Sequence, residues 1–203
     1  MVSVIQEQTA ESLAEYATIS CSFWVRSLLC VDWLDSGLHG IRLTEQAVSH
    51  PYLKNYDALG QSPLTWNRRW DMGNWGIFIA RDAGKIVGGA VVAWRTVGLN
   101  MLEGRDDLAV LWDLRVMTEH RRQGVGRQLV NQAVSWAKAR NCRVLKIETQ
   151  NNNVSACRFY ARCGCRLCGV HGGAYAELPD EVMLLWYLDL TTASLTTRSS
   201  TAR

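Results

Sequence analysis

Three arginines and two glycines crowd one short stretch of this chain, Arg121-Arg122-Gln123-Gly124-Val125-Gly126-Arg127. Before it runs an apolar segment, Ala109 to Val116, that reads as a strand. After it, apolar residues at 129, 130, 133, 134 and 137 recur at helical spacing. The glycines therefore sit where a strand turns into a helix. A helix start leaves backbone N–H groups without partners and carries partial positive charge. Glycine lets that backbone approach a bound anion closely. The chemistry this suits is the gripping of a phosphate. Glycine spacing alone would serve a plain turn equally well; the arginines favour the anion. No Gly-Lys-Ser/Thr follows, which excludes a P-loop, and no third glycine completes a dinucleotide fingerprint.

Two carboxylates and a phenol come next. Strand parity groups Val110, Trp112, Leu114 and Val116 on one apolar face, with Ala109, Leu111, Asp113, Arg115 and Met117 on the other. In the following strand Leu145 and Ile147 share a face, and Val144, Lys146 and Glu148 the other. If these strands are neighbours, Asp113 and Glu148 open onto one cleft. Tyr160 lies with Ala156, Phe159 and Cys163 on one apolar helix face, where a packed core tyrosine is the plain alternative.

The pattern Arg/Gln-x-x-Gly-x-Gly/Ala, met here from Arg121 to Gly126, resembles the acetyl-CoA loop of the GNAT N-acetyltransferase superfamily. The resemblance implies that Arg121, Arg122, Gln123, Gly124, Val125, Gly126 and Arg127 hold the diphosphate of CoA, mainly through main-chain N–H groups. Hydrogen bonds to a charged group contribute roughly 1.5–3 kcal/mol each. Three or four supply much of the roughly 8 kcal/mol of micromolar affinity. Arg122 departs from the pattern, since many relatives carry glycine there. A second stretch, Asn153-Val154-Ser155-Ala156-Cys157-Arg158-Phe159-Tyr160 with Gly164, is similar to the family's Asn-x-x-Ala-x-x-Phe-Tyr-x-x-x-Gly-Phe motif, with Cys165 in place of phenylalanine. It implies that Asn153 hydrogen-bonds CoA and that Tyr160 is the general acid at the departing thiolate. The family also implies that main chain at Leu114 and Val116 holds the pantetheine arm and the acetyl group. A lysine-type amine, with pKa about 10.4, needs a base, and Asp113 and Glu148 are the candidates.

Three stretches are similar to the streptothricin acetyltransferases in particular: Leu111–Val116, Lys146–Asn151, and Ala174–Val182 running into Leu184–Tyr187, with Pro51–Tyr56 beside them. That likeness implies acetylation of the β-lysine moiety of a streptothricin antibiotic, giving resistance. Glu177, Asp180, Glu181, Asp32 and Asp35 would attract such a cationic acceptor if they face the cleft. A protein lysine, a polyamine or an aminoglycoside remains an alternative acceptor, and a non-catalytic CoA-binding module a third reading.

The elements that must position these residues follow in order. Val2 to Gln6 reads as a strand, a helix begins near Thr9, and Phe23 to Val31 reads as a strand. Residues 35–75, broken by glycines and prolines, give no clear pattern; they read as packed loops and short helices, or as a cover over the acceptor site. Gly76–Arg81 and Lys85–Trp94 form a hairpin. Asn141 ends the helix after the glycine loop, Arg143–Thr149 is a strand, and Asn152 or Asn153 caps a helix that Gly164 ends. Arg166–His171 and Val182–Leu190 are the last strands. Strand, helix, strand implies a parallel pair. The fold class is α/β (α+β): a mixed central sheet of about seven strands flanked by helices, with the CoA site where the parallel strands splay.

The 203 residues suit one domain, residues 1–190, with a disordered tail at 191–203. A net charge of +3 is too small to argue for nucleic acid, and none is expected as a partner. No stretch reads as a signal peptide or membrane span, so a cytoplasmic location without membrane partner is expected. Seven cysteines, an odd count, imply free thiols. Cys163-x-Cys165-x-x-Cys168 lacks usual ligand spacing, so no metal is expected and small buried residues are the reading. The expected partners are acetyl-CoA and a small cationic amine, with a homodimer left open.

Overall fold

The computed structural model describes residues 4–191, so the tail expectation falls outside the described residues save for Thr191. In chain order the elements are β1 (Val4–Gln8), α1 (Leu13–Tyr16), β2 (Phe23–Trp33), β3 (Ile41–Lys54), α2 (Trp66–Arg69), β4 (Gly76–Asp82) and β5 (Lys85–Ala93). They continue with β6 (Leu108–Val116), α3 (Val125–Ala139), β7 (Val144–Gln150), α4 (Val154–Arg162), β8 (Arg166–His171) and β9 (Met183–Asp189). Seven strands form one sheet in the order β1-β4-β5-β6-β7-β9-β8. Its ladders are antiparallel except β6–β7, which is parallel. The mixed seven-stranded sheet agrees with the sequence reading.

Both faces of the sheet are covered, which is why β4 and β5 are apolar at nearly every position rather than at alternate ones. On one face α3 and α4 pack Val125, Leu129, Ala133, Trp136 and Tyr160 against Phe78, Ala90, Leu111 and Ile147. On the other, α1 and α2 bring Leu13, Tyr16 and Trp66 against Ile77, Val91 and Val110. Trp112 gathers Trp66, Trp70 and Trp75 around it, with ring centroids 5.5–6.3 Å away. No helix among the described residues is long and apolar enough to cross a membrane.

Two sequence expectations need correction. Residues 35–75 are not only loops and short helices, because they contain β3, a 14-residue strand. It pairs with β2 in a separate two-stranded ribbon. This strand escapes the hydropathy pattern because its residues are mostly exposed, and pairing rather than burial holds it. Pro51 lies where the register between β2 and β3 breaks, so its missing N–H leaves no ladder bond unmade.

The second correction concerns parity in β6. Its ladder with β5 slips between Val91 and Val92, which face Asp113 and Leu111, and Trp112 is the extra residue of a bulge. Beyond the bulge every side chain changes face. Leu114 and Val116 therefore pack on the α3–α4 side, while Val110 and Trp112 belong to the other cluster. Asp113 and Arg115 do not share a face with Ala109 and Leu111. Arg115 reaches the α1 side, donating to the Ile19 carbonyl at 3.1 Å, its guanidinium 5.6 Å from the Tyr16 ring.

Candidate active site

The parallel ladder runs from Leu108↔Val144 to Leu111↔Ile147, and from there the two strands separate. Asp113, Leu114, Val116, Glu148 and Gln150 line the parts of β6 and β7 beyond that last pair. Met117 donates its N–H to Val87 at 2.9 Å on β5. In an antiparallel ladder successive residues point their polar groups to opposite sides. The N–H and C=O of Val116 therefore point away from β5, toward the side β7 has left, and Leu114 does the same two residues earlier. The Val116 carbonyl is taken by the Arg121 guanidinium at 3.1 Å, which also donates to Ser22 O at 3.0 Å. Arg121 thus ties the loop to the end of β6 and to the start of the ribbon.

The loop itself carries six consecutive N–H groups, Arg122 to Arg127, that meet no acceptor among the described residues. The helix ladder begins only with Gln128, which donates to Gly124 O at 3.1 Å. Gly124, at φ 89°, turns the chain into α3 in the left-handed region where a side chain strains the backbone. Arg122 shares that region at φ 65°, which accounts for glycine there in many relatives, and its side chain is exposed rather than turned into the loop. Arg127 is exposed as well. A Cβ on Gly126 would sit 3.3 Å from the Phe159 ring and 3.7 Å from Val116 Cγ2, so this glycine lets α3 close on α4 and β6. The residues fit a diphosphate: unpartnered N–H groups, a helix start and two solvent-facing cations.

Asn153 caps α4, its Oδ1 accepting from Ala156 N–H at 3.1 Å. Gly164, at φ 90°, ends that helix, and Asn141, at φ 60°, ends α3. On α4 Tyr160 is 6% exposed, packed in the core beside Phe159, and its hydroxyl makes no hydrogen bond among the described residues. Burial, with the Asp113 carboxylate nearby, drives its phenol pKa well up, so it stays protonated.

The two candidate bases stand in different networks. Asp113 is bound by Arg115 Nε at 2.6 Å, and the same guanidinium takes Asp57 in a two-pronged contact at 2.7 and 2.8 Å. Burial raises the Asp113 pKa against the pull of Arg115. Glu148 has no cation in contact among the described residues. Its Oε1 accepts from the Tyr175 hydroxyl at 2.6 Å and from Gln150 Nε2 at 3.3 Å. Burial lifts its carboxyl above the usual range, opposed by those two donors and by the Lys146 charge. Lys146 is itself bound to Glu103 at 2.6 Å.

Of the acids expected to attract a cation, Glu181 alone is buried; Glu177, Asp180, Asp32 and Asp35 are exposed. Glu181 is ion-paired to Lys54 and accepts from the Tyr56 hydroxyl at 2.7 Å, with the Lys54 ammonium 4.9 Å from the Tyr56 ring. Sequence reasoning missed the roles of Tyr16, Asp57, Arg115 and Tyr175. Tyr16 is wholly buried, and its hydroxyl has no partner among the described residues. The cysteines are free thiols; Cys165 is buried and Cys163 half-buried, but Cys168 is exposed, against the expectation of small buried residues. Among the described residues no cluster of His, Cys, Asp or Glu could hold a metal ion.

Comparison with known proteins agrees with this architecture. Residues 44–165 match the acetyltransferase (GNAT) family. The chain is 33% identical over 190 residues to a streptothricin acetyltransferase of Escherichia coli, covering 92% of this chain and 94% of that one. A Bacillus anthracis str. Ames protein assigned as a streptothricin acetyltransferase, solved in complex with acetyl coenzyme A, is 33% identical with a TM-score of 0.73. That match covers 93% of this chain and 99% of the other. Nourseothricin acetyltransferase, at 24% identity and the same TM-score of 0.73 over 94% of this chain and 99% of its own, shares the fold. Splayed strands, an open amide loop at a helix start and whole-length relatives converge: this chain belongs to the GNAT acetyltransferase family.

Proposed function

We propose that this N-acetyltransferase moves an acetyl group from acetyl-CoA to a primary amine of a small cationic acceptor, the β-lysine moiety of a streptothricin antibiotic. The observation that carries the CoA half is the run of six unpartnered N–H groups at the start of α3. The Escherichia coli relative, matched over nearly its whole length, supports the acceptor. Resistance by inactivation follows from that acceptor.

Each side chain then has a task. The amides from Arg122 to Arg127 hold the diphosphate, with Arg122 and Arg127 adding charge from the rim. Main chain at Leu114 and Val116 receives the pantetheine arm, and the Val116 N–H donates to the carbonyl oxygen that gains charge. Acetyl-CoA, when bound, supplies a thioester carbonyl open to attack by an amine. Glu148 takes the proton from the ammonium, directly or through one water, because its buried carboxyl is more basic than a free one. Tyr160 donates its phenolic proton to the departing sulfur, and Asn153 fixes the start of the helix that carries it. Asp113, bound to Arg115, holds the bulge in place and keeps the Tyr160 phenol protonated.

Thiol release with acetyl-CoA and a panel of amines tests the reading. Streptothricin is expected to turn over, with peptide lysines, polyamines and aminoglycosides far behind. Turnover of one of those with none of streptothricin would overturn the acceptor and leave the CoA site standing.

A further inference from the structure

The Glu148 carboxylate is held from one side only. Two donors converge on Oε1, the Tyr175 hydroxyl at 2.6 Å and Gln150 Nε2 at 3.3 Å, while Oε2 meets no donor among the described residues. Gln150 Nε2 also donates to the Tyr175 oxygen at 3.1 Å, closing a triangle. Gln150 lies two residues along β7 from Glu148, but Tyr175 comes from the β8–β9 connection, 27 residues away in sequence. A phenol brought from a separate segment to one oxygen of a half-buried carboxylate fixes its rotamer and leaves the other oxygen for a substrate.

We propose that Tyr175 is a positioning residue for acetyl transfer: its hydroxyl pins Glu148 Oε1, so that Oε2 presents to the acceptor amine in one orientation. This rests on Glu148 being the base. The phenol also sets the basicity of the carboxylate. Donation to the charged form opposes the rise that burial imposes. The other polar groups acting on Glu148 are Gln150 and Lys146 of its own strand, the latter held by Glu103. Tyr56, from the end of β3, acts on Tyr175 in turn. None of them replaces the short contact from Tyr175.

Removing that hydroxyl raises the Glu148 pKa, so less of the enzyme carries a base on the acidic limb. In Tyr175→Phe the acidic limb of kcat/KM is expected to move up by about one pH unit, a tenfold loss on the limb, since a group's titration shifts one for one with its pKa. Activity should recover only in part at alkaline pH, because the unpinned carboxylate no longer keeps one orientation, and the KM for acetyl-CoA should not change. Gln150→Leu, which removes the longer contact, should shift the limb less. Full recovery of wild-type kcat at alkaline pH, or an unmoved limb, would overturn the proposal. Glu148→Gln separates the two claims: wild-type kcat there would defeat the base itself. Loss of kcat there with an unmoved limb in Tyr175→Phe would defeat only the role of Tyr175.

Discussion

The two halves of the site are built on different principles. The proposed CoA half is local and made of main chain: β6, the loop from Arg121 to Arg127 and the start of α3 are consecutive in sequence. The proposed acceptor half is non-local and made of side chains. Tyr56 meets Glu181 across 125 residues, Asp57 meets Arg115 across 58, and Tyr175 meets Glu148 across 27. A main-chain cradle tolerates many side chains, as the exposed Arg122 in a left-handed position shows. A side-chain site fails when any partner is removed, because a buried charge or hydroxyl is left unpaired. On the proposed function, one half keeps a common coenzyme grip while the other is free to specify an acceptor.

Substitutions in each half should break different kinetic constants. The largest effect belongs to Glu148→Gln, with kcat falling by about 10²–10⁴-fold, the usual contribution of a general base, and acetyl-CoA affinity kept. Its stability should move the other way. Because the folded pKa of Glu148 is raised, the folded state favours the protonated form. That contribution is complete below the unfolded pKa and is lost as pH rises through the folded one. Glu148→Gln removes the loss, so melting at neutral pH should rise relative to wild type and the gap should close in acid. Tyr160→Phe comes next, with kcat falling by about 10²-fold, the low end for a general acid, and CoA binding, read by titration calorimetry, nearly unchanged. Gly124→Val forces a branched side chain into the left-handed region, a strain of about 1–3 kcal/mol. It should weaken acetyl-CoA binding by about tenfold, the equivalent of 1.4 kcal/mol, while the acceptor KM holds. The smallest change is expected for Tyr56→Phe, which leaves the Glu181–Lys54 pair intact: a rise in acceptor KM of a few fold, with the acetyl-CoA KM unmoved.

The same contrast explains what the sequence disclosed. The strand, glycine loop and helix around residues 121–127 were legible because their signals are contiguous. An apolar run, two glycines and a helical period stand side by side, and Asn153, Asn141 and Gly164 mark helix ends by their own backbone preferences. The segments gathered around Glu148 and Glu181 left no such trace. β3 is a mostly exposed strand with a proline inside it, so although Gly37 and Gly40 mark the turn before it, no alternation marks the strand itself. The Trp112 bulge inverted the parity of β6, and no local residue preference signals an extra residue in a strand. Asp113 and Glu148 were found as carboxylates, but what separates them is a contact each makes with a distant segment: Arg115 with Asp57 for one, Tyr175 for the other.

Hydrogen exchange at the backbone amides of residues 122–127, with and without saturating acetyl-CoA, tests the grip directly. Strong, selective slowing there on binding, lost when acetylpantetheine without the diphosphate replaces the coenzyme, is the expected result. Turnover with exchange at those six amides unchanged by acetyl-CoA would contradict it, because the coenzyme would then be held elsewhere.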